Sequence, residues 1–120
     1  MKLEDINPNT GLVFRPKGRN LNIGNWSIVD AVDCDGIEFR QVFHYGTLMG
    51  EWYRLVPNYT TNQGANEHEV FQFAPLSTGH GSVSDQQGMN RIVRGSGWRF
   101  LRSGGVARYE HAASGRRFPN

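Results

Sequence analysis

"WSIVDAVDCDGIEFRQVFHY", Trp26 to Tyr45, decides the fold. Its two arms alternate apolar and polar residues about "DCDG" (Asp33 to Gly36), whose members tolerate left-handed backbone, so the stretch predicts two antiparallel strands joined as a hairpin. The first arm places Trp26, Ile28 and Val32 on one face. The second places Ile37, Phe39, Phe43 and Tyr45 together, which leaves His44 and Tyr45 on opposite faces, one exposed and one in the core.

Outward from the hairpin, "TLMGEWYRLVP" (Thr47 to Pro57) follows Gly46 closely enough to continue the meander as a third strand. Gly50 marks a bulge or a close approach, and Pro57 ends the strand. "NYTTNQGANEHE" (Asn58 to Glu69) has no periodicity and reads as a long exposed loop, either a lid or simply mobile. "VFQF" (Val70 to Phe73) is a short strand, and the N-terminal residues read as turns around a short strand at Leu12 to Arg15.

The C-terminal half opens with "GHGSVSDQQGMNR", Gly79 to Arg91. Ser84 with Gln87 three residues later forms a capping box, so a helix is expected to start there with Asp85 in its first turn. Met89, Ile92 and Val93 recur at helical spacing as its buried stripe, "GSG" (Gly95 to Gly97) stops it, and Gln87, Asn90, Arg91 and Arg94 face away. In "WRFLRSGGVARYEH" (Trp98 to His111) a turn at Gly104 and Gly105 sets Phe100 opposite Tyr109 and Arg99 opposite Glu110. The tail "ASGRRFPN" is expected to fray. The fold expected is α+β and β-rich: a compact antiparallel sheet or partly open barrel with one short helix and a C-terminal hairpin, in a single domain spanning residues 1–120.

Composition narrows the function. A chain of 120 residues, 38% hydrophobic and 12% aromatic, supports one modest core. The net charge of +2 is a mild surplus, yet Arg91, Arg94, Arg99, Arg102, Arg108, Arg116 and Arg117 crowd the C-terminal third, as an anion-facing end or a solvated charged surface would. Cys34 is the only cysteine, which excludes an internal disulfide and a cysteine-rich zinc site and fits a reducing compartment. With no apolar leader behind Met1 and no membrane-length run, a cytoplasmic location is expected. "NYT" at Asn58 matches a glycosylation sequon and reads as a polar loop.

Gly79 and Gly81 let the backbone turn sharply ahead of the helix, so that successive N–H groups can converge beside the hydroxyls of Thr78, Ser82 and Ser84. The ligand-binding set expected is Thr78, Gly79, His80, Gly81, Ser82, Ser84 and Asp85, extended by Arg91 and Arg94 and by Trp98 or Tyr45 as a base-stacking ring. The other reading is that the glycines make a tight connection and the serines only cap. His80, Ser82 and Asp85 invite comparison with a hydrolase triad, but no G-x-S-x-G elbow surrounds Ser82. His44, His68, His80 and His111 lack metal-ligand spacing, and Cys34 between two aspartates is a poor nucleophile; no cofactor or metal is expected. Arginines interleaved with aromatics keep nucleic acid in contention, without an RNP, KH or zinc-finger pattern.

"GHGSVSDQQGMNRI" with "SGGVARYE", and "HYGTLMG" earlier, resembles a pattern carried by small accessory proteins of tailed bacteriophages. The resemblance implies a phage accessory product. By class analogy such proteins include anti-defence sponges, which sequester nucleotide-type immune signals, commonly as homo-oligomers. The expected function is therefore a non-enzymatic protein holding a phosphate-bearing nucleotide-type small molecule. The alternatives are a module that acts on a host protein, a small nucleotide hydrolase, and a nucleic-acid-binding domain.

Overall fold

The hairpin sits at the centre of a five-stranded antiparallel meander in the computed structural model, which describes residues 1–16, 20–55 and 70–119. The strands are β1 (Leu21–Ile23), β2 (Trp26–Val32), β3 (Glu38–His44), β4 (Thr47–Arg54) and β5 (Phe71–Pro75), adjacent in that order. Helix α1 (Val83–Ile92) follows, and then a second antiparallel sheet of β6 (Trp98–Ser103), β7 (Val106–His111) and β8 (Arg117–Phe118). Among the described residues the fold is β-rich with one α-helix, and neither sheet closes into a barrel. The reading of Pro57 and of Asn58 to Glu69 lies outside the described residues.

The C-terminal hairpin has the expected register, with Phe100 opposite Tyr109 and Arg99 opposite Glu110. The tail does not fray: Arg117 and Phe118 pair with Glu110 and Tyr109 as β8. No strand forms at Leu12 to Arg15; the N-terminal segment carries a 3-10 turn at Leu3–Ile6, and the first strand lies further on. There Arg40 holds the chain down, donating to the carbonyls of Ile6 (2.8 Å), Leu12 (3.1 Å) and Val13 (3.3 Å).

Arg40 also corrects the face expected of β3. The buried side chains are Arg40, Val42 and His44, while Phe39 and Phe43 are half-buried and Tyr45 is 62% exposed. A period-two pattern of apolar residues locates a core only when buried polar groups lack partners. Here Asp30, directly across on β2, accepts from Arg40 Nε at 2.6 Å, and His44 has its own carboxylate. Tyr45 and Gly46 instead make the two-residue turn into β4, Tyr45 in the left-handed region at φ 50°.

Met89 and Ile92 of α1 and its C-cap Val93 pack into the core with Trp26, Met49, Trp52, Phe73, Phe100 and Tyr109. Gly88 lets the helix lie on Trp26: a Cβ there would sit 2.1 Å from the indole. Gly50 likewise admits Phe73, whose ring would lie 2.4 Å from an added Cβ. Asn90, expected on the solvent face, is partly buried; its amide donates to Phe100 O (3.0 Å) and accepts from Phe100 N (2.7 Å), clamping the edge of β6.

Candidate functional site

The Gly79 to Asp85 loop forms a nest of main-chain donors, and the chain itself fills it. Gly79 and Gly81 adopt φ 63° and 65°, which turns the intervening amides inward. Asp85 Oδ2 accepts from His80 N at 3.1 Å, Ser82 N at 3.0 Å and Ser82 Oγ at 2.8 Å. Gly79 N donates to Ser77 Oγ and Gly81 N to the Thr78 carbonyl. The loop amides that were expected to face an incoming anion therefore have acceptors within the chain. The cap also differs from expectation: Ser82, not Ser84, is the N-cap, and the reciprocal partner is Asp85 rather than Gln87. A carboxylate is the stronger acceptor for an amide, which decides between the two overlapping patterns.

Asp85 is 2% exposed, and its other oxygen lies 2.6 Å from His44 Nδ1. Burial pushes its carboxyl up, but the hydrogen bonds from His44 and Ser82 outweigh burial and hold it below the ordinary aspartate range. A carboxylate only accepts, so His44 Nδ1 carries the hydrogen. The imidazole stacks on Trp26, with centroids 3.8 Å apart and planes at 10°. The imidazole on Asp85 is thus that of His44, while the His80 side chain is exposed.

Around this pair three stretches of the chain meet. "HYGT" supplies His44, "GSVSD" supplies Asp85, and Arg102 of the neighbouring hairpin donates from Nε to the Gly81 carbonyl at 2.7 Å. Tyr109 OH donates to Ser77 O at 2.8 Å, tying β7 to the loop. Burial, and then the charge of Asp85, raises the Tyr109 phenol far above its ordinary value, so it stays a donor.

The remaining expected residues do not gather here. Arg91 lies about 14 Å along the helix axis from Ser82 and pairs with Glu4. Arg94 is exposed beyond the end of the helix. Trp98 begins the strand whose residue 102 touches the loop, about 13 Å away along the backbone.

Trp98 instead helps line a cleft of about 380 Å³ where the open edge of β5 faces β8. Tyr53, Trp98, Arg116, Arg117 and Phe118 are among its lining residues. The Arg116 guanidinium stands 5.9 Å from the Trp98 ring centre. Arg116 has no ion pair among the described residues, and Arg117 reaches Glu110 only at 3.6 Å. The Tyr53 hydroxyl donates to Glu51, and that bond, with burial, pushes its pKa up to about 12.

The sequence reading missed this cleft because it set Arg116 and Arg117 in a frayed tail. The available signal was "RRF" after a glycine, a third short strand for the hairpin. Among the described residues no group of three His, Cys, Asp or Glu side chains gathers as a metal site, and no helix is long and apolar enough to cross a membrane. No family model, curated protein or solved structure matches this chain.

Proposed function

We propose that this chain is a non-enzymatic binding protein for a phosphate-bearing, nucleotide-type small molecule held in the cleft between β5 and β8. As a phage accessory product it acts by sequestering that molecule. The observation that carries the reading is that Arg116 and Arg117 line one cavity with the aromatic residues Tyr53, Trp98 and Phe118, the Arg116 guanidinium standing over Trp98. Guanidinium groups match phosphate oxygens in pairs, and flat rings hold bases by stacking. Among the described residues the lining offers donors and rings and no carboxylate, imidazole or thiol of its own, and the nearby Glu51 and Glu110 are engaged by Tyr53 and Arg117, which favours holding over turnover.

The size of the cleft bears on the ligand. Its volume lies at the lower end of the ~300–1,000 Å³ of small-molecule sites, so one copy accommodates a single nucleotide unit. A cyclic dinucleotide would need the cleft of a second copy.

Calorimetry with mononucleotides, ADP-ribose derivatives and cyclic di- and trinucleotides tests the proposal against an Arg116→Ala/Arg117→Ala double variant. Saturable binding to the wild type that weakens at least tenfold in the double variant supports it. Silence from every ligand, or binding that ignores both substitutions, removes it.

A further inference from the structure

The edge of β5 that opens on the cleft carries a pattern found twice more in this molecule. In an antiparallel pair, alternate residues turn their N–H and C=O toward the partner strand and the rest turn them away. Leu55 N donates to Val70 O, and Leu76 N to Met49 O, which fixes the phase. Val70, Gln72, Ala74 and Leu76 therefore bond toward β4, while Phe71, Phe73 and Pro75 turn their main-chain groups to the open edge. Phe71 is covered: the Asn9 side-chain amide donates to its carbonyl and accepts from its N–H, both at 2.8 Å. Asn90 covers Phe100 of β6 in the same two-bond manner.

Phe73 is the next such position along β5. It lines the cleft, and its N–H and C=O have no partner among the described residues. Pro75, which has no N–H, closes the series. Phe73 is 3% exposed, so only a group that enters the cleft reaches this unpaired pair, a template for any planar group that presents a donor and an acceptor side by side. Each nucleobase has such an edge, as a carboxamide does.

We infer that the cleft ligand is read through its base, whose donor–acceptor edge pairs with the main chain of Phe73 as Asn9 pairs with Phe71, while its phosphate lies on Arg116 and Arg117. This inference rests on the proposed binding function and adds what the ligand must carry. A phosphate alone would satisfy the arginines and leave the strand edge open. A nucleoside alone would satisfy the edge and leave the arginines in water.

The test uses amide exchange and chemical-shift mapping of the full chain, with calorimetry of AMP, GMP, CMP, UMP and ribose 5-phosphate. In the free protein the Phe73 amide should exchange much faster than those of Phe71 and Phe100, which the asparagines cover. At least one mononucleotide should bind about tenfold or more tightly than ribose 5-phosphate, move the Phe73 amide resonance and slow its exchange. A Phe73 amide already protected in the free protein overturns the inference. So does ribose 5-phosphate that binds as tightly as every nucleotide, although that result leaves the anion-binding cleft in place. If neither the nucleotides nor the sugar phosphate binds, the inference and the proposed function fall together.

Discussion

The Gly79 to Asp85 loop and the β5–β8 cleft are made of similar parts and end in opposite states. Both bring main-chain N–H groups together with positive or hydroxyl-bearing side chains. In the loop the chain supplies its own carboxylate, and Asp85 takes three donors on one oxygen and His44 on the other. In the cleft no carboxylate is among the described lining residues; Tyr53 and Arg117 reach Glu51 and Glu110 beside it, while Arg116 has no ion pair and the strand edge at Phe73 no partner among the described residues. A cluster of donors therefore marks a ligand site only where the fold has not already delivered an acceptor. In the loop that acceptor is three residues from the N-cap.

Emptying the loop is the most severe way to break this contrast. Asp85→Ala leaves His44, two amides and the Ser82 hydroxyl without an acceptor in the core, and is expected to cost about 3–5 kcal/mol. Urea denaturation measures it. Added formate or acetate should restore part of the loss in the variant and do nothing for the wild type, because the nest would then resemble the cleft. If Asp85→Ala does not fold, Asp85→Asn keeps the shape and one acceptor at a smaller loss. A variant within about 0.5 kcal/mol of wild type would show that the buried network contributes little.

Two glycines separate the regions sterically. In Gly88→Ala the new methyl meets the Trp26 ring, and in Gly50→Ala it meets Phe73. Overpacking of this kind costs about 1–3 kcal/mol, enough to outweigh the ~1 kcal/mol that alanine gains over glycine within a helix. The two should differ in binding. Gly50→Ala displaces the residue whose main chain borders the cleft and should weaken the ligand, whereas Gly88→Ala, on the loop side, should leave affinity unchanged once the protein is folded.

Acid separates the same two regions. The carboxyl of Asp85 lies below its ordinary value in the folded state. Its contribution is therefore complete above the unfolded aspartate pKa of about 3.9 and drains away as the pH falls through the folded value. Arginine side chains as a class stay charged over this range. Chemical denaturation between pH 3 and pH 7 should show wild-type stability falling at the acid end, and Asp85→Asn should flatten that fall.

How far the sequence disclosed these regions follows from where the partners lie. The C-terminal hairpin was legible to the exact pair because its turn, its alternation and its cross-strand partners all lie between Trp98 and His111. The helix was legible for the same reason, apart from the choice between two overlapping caps. The face of β3 was not, since Arg40 and His44 look like surface residues until Asp30 and Asp85 are brought beside them from other elements. The cleft was less legible still: Phe73 and Arg117 lie on strands of different sheets, and what unites them is the phase of main-chain bonding, which side-chain identities do not record.

The smallest expected change in stability is also the sharpest test of the contrast. Arg116 and Arg117 are exposed. Removing Arg117 leaves Glu110 with Arg108, which is nearer at 3.1 Å. Exposed ion pairs contribute about 0–1 kcal/mol, so Arg116→Ala and Arg117→Ala should each unfold within about 0.5 kcal/mol of wild type while ligand affinity drops. Residues that serve the fold lose stability when cut back, as Asp85 should. Residues held ready for a partner lose only the partner, and a pair of arginines whose removal cost stability instead would belong with Asp85, among the chain's internal contacts.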